Sequence, residues 1–142
     1  MPVVDTSAGF QYMGRLGGGP DLIIERYFKD TETLTKGDLV NLEVGEFDLA
    51  ATNDTALVGA VRQTKAGTDS TTLIEAYYAP DAIYSVYDAN ARELGATLDI
   101  AGTTGAMTVA ASSNVDLIVV GGFLASERTL VMIHRTEHFL TA

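Results

Sequence analysis

The residues best equipped for chemistry stand together near the end of the chain, as His134-Arg135-Thr136-Glu137-His138. The order histidine, glutamate, histidine matches the H-x-x-E-H pattern of inverted zinc peptidases. That chemistry needs a helix, because residues four apart then project from one face and their imidazoles can share an ion. Here the motif directly follows Leu130-Val131-Met132-Ile133, a run that reads as strand, and only four residues come after His138 to supply a third ligand. The better reading is two histidines in a terminal strand and its tail. A metal-dependent hydrolase using His134 and His138 is the distant alternative.

Other candidates fail on context too. Arg15-Leu16-Gly17-Gly18-Gly19 has the glycines of a phosphate loop. It lacks the Gly-Lys-Ser/Thr ending, the strand before and the helix after, whose first amides would hold the anion. A flexible hinge is the reading that fits. Asp30 with Glu32, and Asp88 with Asn90, look like fragments of calcium loops. Each lacks the glycine at the sixth position and the glutamate at the twelfth, so acidic turns are favoured. Asn53-Asp54-Thr55 matches a glycosylation sequon, read as a chance match in a turn. No serine sits in a Gly-x-Ser-x-Gly elbow, and nothing singles out a pair of acids. No catalytic, cofactor-binding or metal-binding residue is assigned, and no cofactor is expected.

The totals point the same way. The chain has 142 residues, enough for one ordinary domain with a real core. Its composition is globular, with 46% hydrophobic and 20% charged residues. Nineteen acids against 9 bases give a formal charge of −10, which repels phosphate backbones and anionic lipid, so neither nucleic acid nor membrane is an expected partner. There are no cysteines, which removes disulfides, thiolate metal sites and thiol nucleophiles together. The opening Met1-Pro2-Val3-Val4-Asp5 lacks the basic and apolar regions of a signal peptide. The expectation is a soluble protein made in a reducing compartment.

What remains is a scaffold for binding. Residues 1–20 read as an extended N-terminal arm, in which Phe10, Tyr12, Met13 and Leu16 stand among small and polar residues before Gly17-Gly18-Gly19-Pro20 breaks regular structure. From there 21–142 reads as a single β domain. Strands are expected at 22–28, 39–42, around Phe47 and Leu49, at 56–61, 71–78, 83–87, 97–100, 117–120 and 129–133, with turn residues between them. Within 39–42, Val40 and Leu42 share one face while Leu39 and Asn41 share the other. Residues 88–94 have the length of a short helix. The fold class is therefore all-β, a small barrel or sandwich of short, mostly antiparallel strands.

From about Leu34 to His134 the chain resembles the capsid decoration (cement) proteins of tailed bacteriophages. The resemblance rests on Lys36-Gly37-Asp38-Leu39-Val40, then Leu57-Val58-Gly59-Ala60-Val61, and then 82–88 (Ala-Ile-Tyr-Ser-Val-Tyr-Asp). It continues through Gly95-Ala96-Thr97-Leu98-Asp99-Ile100 and Ser113-Asn114-Val115-Asp116-Leu117. It implies a structural virion protein that binds the outer surface of the assembled capsid, commonly as a homotrimer, with the major capsid protein as partner. A phage tail, neck or fibre-base protein is the alternative within virion parts. The long glycine-hinged N-terminal segment departs from the family pattern. Under this resemblance the candidate interface residues are Phe10, Tyr12, Met13 and Leu16, with Arg15 as an ion-pair donor, since aromatics and arginine anchor interfaces. The competing reading folds the same residues back on their own domain as an apolar lid.

Overall fold

The computed structural model describes residues 9–52, 54–88, 90, 92–111, 115–123 and 127–140. Residues 1–8 of the expected arm, Asn53 of the sequon and Ser113-Asn114 lie outside the described residues. In chain order the strands are β1 (Gln11–Arg15), β2 (Ile23–Tyr27), β3 (Thr33–Leu34), β4 (Leu39–Glu43), β5 (Glu46–Leu49), β6 (Leu57–Ala60) and β7 (Lys65–Ala66). They continue as β8 (Leu73–Tyr77), β9 (Ala82–Tyr87), β10 (Thr97–Thr103), β11 (Ala106–Ala111), β12 (Leu117–Phe123) and β13 (Arg128–Ile133). None of the described residues is helical. Those within 88–94 include a bend and a turn, although the segment has the length of a short helix. The Asp88 carboxylate accepts the Asn90 amide proton at 3.1 Å, a local turn that competes with helix, and holds Arg92 Nε at 2.7 Å.

One six-stranded sheet runs in the order β1-β9-β13-β12-β10-β11, and a three-stranded sheet runs β5-β4-β6. Two short ladders, β2-β8 and β3-β7, complete the set, and every named ladder is antiparallel. Among the described residues β1 and β11 end the large sheet without pairing to each other, so no barrel closes. The fold is a sandwich of layers.

The layers enclose two apolar cores. The first gathers Phe10, Leu39, Leu57, Tyr84, Val86, Leu98, Leu117 and Val131 beneath the six-stranded sheet. The second gathers Phe28, Leu34, Val40, Phe47, Val58, Val61 and Ile74 around the small ladders. β4 and β6 stand between them. Side chains alternate across a strand, so Leu39 and Leu57 enter the first core while Val40 and Val58 enter the second. Leu42 packs beside Val40 in that second core, on the face the sequence gives it. A strand buried on both faces reads as a continuous apolar run, as Leu57-Val58-Gly59-Ala60-Val61 does. Gly59 lets the layers meet closely, because a Cβ there would collide with the Tyr77 carbonyl oxygen and the Tyr84 hydroxyl.

Buried polar groups tie the layers. Asp38 is fully buried; it accepts the Thr35 and Gly105 amides at 2.8 Å each, and the Thr104 hydroxyl. One carboxylate thus joins the turn before β4 to the hairpin between β10 and β11. Asp116, also fully buried, accepts the Ile100 amide at 3.0 Å and the Thr52 hydroxyl at 3.2 Å.

Candidate interaction surface

The five residues assigned as interface candidates all lie in or beside β1, and the structure splits them. Phe10 is buried in the first core, edge-on to Tyr84 with ring centroids 6.3 Å apart, and its amide bonds the Gly37 carbonyl at 2.8 Å. Tyr12 is half-buried and stacks on Tyr77 at 3.8 Å between centroids and 10° between planes. Its hydroxyl donates to Asp21 at 2.8 Å; burial, then that carboxylate, pushes the phenol up to about 12. These two aromatics serve the protein's own packing. Met13 and Leu16 are 59% and 63% exposed.

Arg15 anchors the end of β1. Its Nε meets Asp81 Oδ1 at 2.8 Å, and the Gly17 amide donates to Asp81 Oδ2 at 3.1 Å. The Arg15 hydrogen bond is the main cause holding the Asp81 carboxyl below its usual range. The Leu16 amide adds a bond to the Asp81 carbonyl at 2.9 Å, and the Gly18 amide bonds the Arg15 carbonyl at 3.0 Å. The glycine run expected as a hinge or strap is a tied turn. Residues 11–15 run as the edge strand of the main sheet, against β9.

Leu16 opens onto a shallow cleft of about 280 Å³ on the outer side of that sheet, lined by Leu16, Pro80, Ile118, Val120, Met132, Ile133, His134 and Arg135. Alternation explains its character. Leu117, Val119, Val131 and Ile133 are buried, so Ile118, Val120 and Met132 face outward, with Ile118 directly opposite Met132 across the ladder. The solvated face of an antiparallel sheet ordinarily carries polar residues at these positions. Here they are apolar, with the cationic Arg135 at the rim. The sequence carried this signal in Leu117-Ile118-Val119-Val120, apolar at every position, but a run buried on both faces looks the same. A second depression of about 390 Å³ lies on the other side of β1, lined by Phe10, Gln11, Tyr12, Lys36, Gly37, Ala60, Val61 and Tyr77.

The catalytic-looking motif takes a different form. Residues 135–137 form a turn, and His138 bridges in parallel to Leu57 on β6. His138 is fully buried; its Nδ1 accepts the Leu140 amide at 3.1 Å while Nε2 lies 3.0 Å from the Tyr78 carbonyl. That pairing fixes the neutral ring with the proton on Nε2, and burial lowers its pKa. Both ring nitrogens serve the fold. His134 Nδ1 instead meets the Thr136 hydroxyl at 2.8 Å. Among the described residues no three histidine, aspartate or glutamate side chains gather as a metal site. Glu32, from one of the calcium-like fragments, lies against Asp48, and burial followed by that charge raises its carboxyl to about 7.

No protein-family model matches the chain, and no curated protein matches it. Among solved structures the fold is similar to the N base of the head fiber protein gp8.5 of bacteriophage phi29, with a TM-score of 0.52 and 16% sequence identity. The match covers 82% of this chain and 98% of that one. This chain therefore shares the fold of a phage head-fibre base along nearly the whole of that module.

Proposed function

We propose that this protein is a structural component of a phage virion that binds the outer surface of the head shell as a decoration protein and catalyses no reaction. The observation that carries the reading is the shared fold with a module of a phage head fibre. The apolar cleft at Leu16, Ile118 and Met132 supplies the kind of surface that docking requires, and Met13, within β1, is a further exposed apolar side chain. The major capsid protein is the partner. Binding only the assembled lattice stabilises it by linkage, and assembly as a homotrimer multiplies weak contacts through effective concentration.

A second reading, favoured by the same structural neighbour, makes the chain the base on which a fibre stands. Both readings are tested by adding purified protein to expanded heads and to unexpanded procapsids, then sedimenting the particles. Saturable binding to expanded heads is the expected outcome; binding to neither particle sinks both readings. Density averaged on decorated heads separates them, as a compact knob for decoration or a stub continuous with a protruding fibre.

A further inference from the structure

Between β2 and β3 the chain makes a short bent loop, residues 29–32, with a buried anchor at each end. Phe28 and Leu34 are both fully buried in the second core. The loop between them passes along the side of β5 that β4 leaves unpaired. The Phe47 carbonyl accepts the Lys29 amide there at 2.8 Å, an ordinary backbone bond. The Leu49 amide, two residues on and so on the same side of the strand, meets two carboxyl groups instead. Glu32 Oε1 lies 3.4 Å from it and Asp48 Oδ1 lies 3.1 Å from it.

One N–H cannot offset two negative charges. A hydrogen bond between Glu32 and Asp48 needs a proton, because an ionised carboxylate only accepts. The charges that act on Glu32 are Asp48 and then Asp30, both acidic. The other charged side chains of the surrounding elements are Lys29 in the loop, Glu46 on β5, Lys65 on β7 and Asp69 in the turn after it. Lys65 Nζ is engaged by the Leu73 carbonyl at 3.0 Å, and the Asp69 amide donates to the Thr31 hydroxyl at 3.5 Å. Glu32 also holds the loop through its main chain, where its carbonyl accepts the Gly67 amide at 2.8 Å beside the β3-β7 ladder.

We propose that Glu32 and Asp48 form a proton-held clasp: a proton shared between them fastens the 29–32 loop to the edge of β5, and its loss unfastens the loop while Phe28 and Leu34 stay in place. Crowded like charges favour the protonated form of one of them. Burial, followed by the Asp48 charge, raises the Glu32 carboxyl from 4.5 to about 7. The closed loop therefore binds the proton more tightly than the open one. That contribution to closure is complete below about 4.5 and is lost as pH rises through about 7. The clasp stands apart from the virion reading, since the isolated protein is enough to display it.

Carboxyl carbon NMR on the full chain reads the proton directly. The Glu32 signal is expected to titrate with a midpoint near 7. In Asp48→Asn, where the like charge is gone, the midpoint is expected about one pH unit lower. Native-state hydrogen exchange reads the loop. Corrected for intrinsic base catalysis, protection of the Lys29 and Gly67 amides is expected to fall about tenfold between about pH 5 and pH 8. Water screens these half-exposed carboxyls, which keeps the change below the full linkage. In Glu32→Gln, whose amide donates to Asp48 without titrating, protection is expected to stay level. A Glu32 midpoint near 4.5 overturns the proposal. So does an equal fall in Glu32→Gln, or at the Val61 amide, a buried group outside the loop that bonds the Asp38 carbonyl at 2.9 Å.

Discussion

Asp38 accepts two amide protons and a hydroxyl while fully buried, and the groups it satisfies come from Thr35 on one side and from Thr104 and Gly105, far along the chain, on the other. Charge-assisted bonds of this kind are worth about 1.5–3 kcal/mol each, and a buried amide left without a partner costs about 1–3 kcal/mol. Asp38→Ala is therefore expected to lower stability by roughly 3 kcal/mol in urea titration, and Asp38→Asn by less, since its amide oxygen still accepts. His138 gives a pH signature. Burial lowers its folded pKa below the unfolded value of about 6.5, so the unfolded chain binds the proton more readily. Its contribution is complete above pH ~6.5 and is lost as pH falls through the depressed folded value. Melting temperature is expected to drop across that acid window in the parent protein, and His138→Asn is expected to flatten this part of the profile. A metal-site role predicts a different result, namely loss of stability on chelation near neutral pH. The motif at His134 and His138 was legible as residues; its turn was not, because the backbone pairing of 137–139 with Leu57 spans about 80 residues and leaves no local mark.

Most of the long strands could be read from their residues. β4, β6, β9, β12 and β13 are rich in apolar and β-branched side chains, and tertiary packing agrees with that local preference. β1 and β11 could not be read in this way. Gln-Tyr-Met-Gly-Arg shows no alternation, and Ala-Met-Thr-Val-Ala-Ala is mostly small; both are strands because a neighbouring strand, β9 or β10, templates them. The same limit hid the outward cleft, since Ile118, Val120 and Met132 come together only when β12 and β13 pair. Leu16→Asp and Met132→Asp place charge on that cleft at positions that are not fully buried. Each is expected to weaken binding to heads at least tenfold, while changing stability by no more than about 1 kcal/mol. Full binding by both variants would remove the cleft as the docking surface.

At the scale of the whole molecule, 19 acids stand against 9 bases. Three ion pairs are present among the described residues, Arg15–Asp81, Arg62–Glu75 and Arg92–Asp88, and they leave the acids in clear excess. Self-repulsion of that kind is screened by salt, whose Debye length falls from about 30 Å at 0.01 M to about 8 Å at 0.15 M. Melting temperature is expected to rise by a few degrees over that range, measured calorimetrically; a fall would mean that the ion pairs outweigh the repulsion.

The placement of β4 and β6 has a consequence for how the molecule yields. Leu39 and Val40 are neighbours in sequence but belong to different cores, as do Leu57 and Val58, so neither core can loosen without disturbing the strand that walls the other. The wall thus acts as a mechanical fuse shared by both compartments. Strain arriving at the outer sheet is passed inward, and the domain gives way as a single unit. In native-state hydrogen exchange the amides of β4 and β6 should be the slowest of all, opening together only when the whole fold opens.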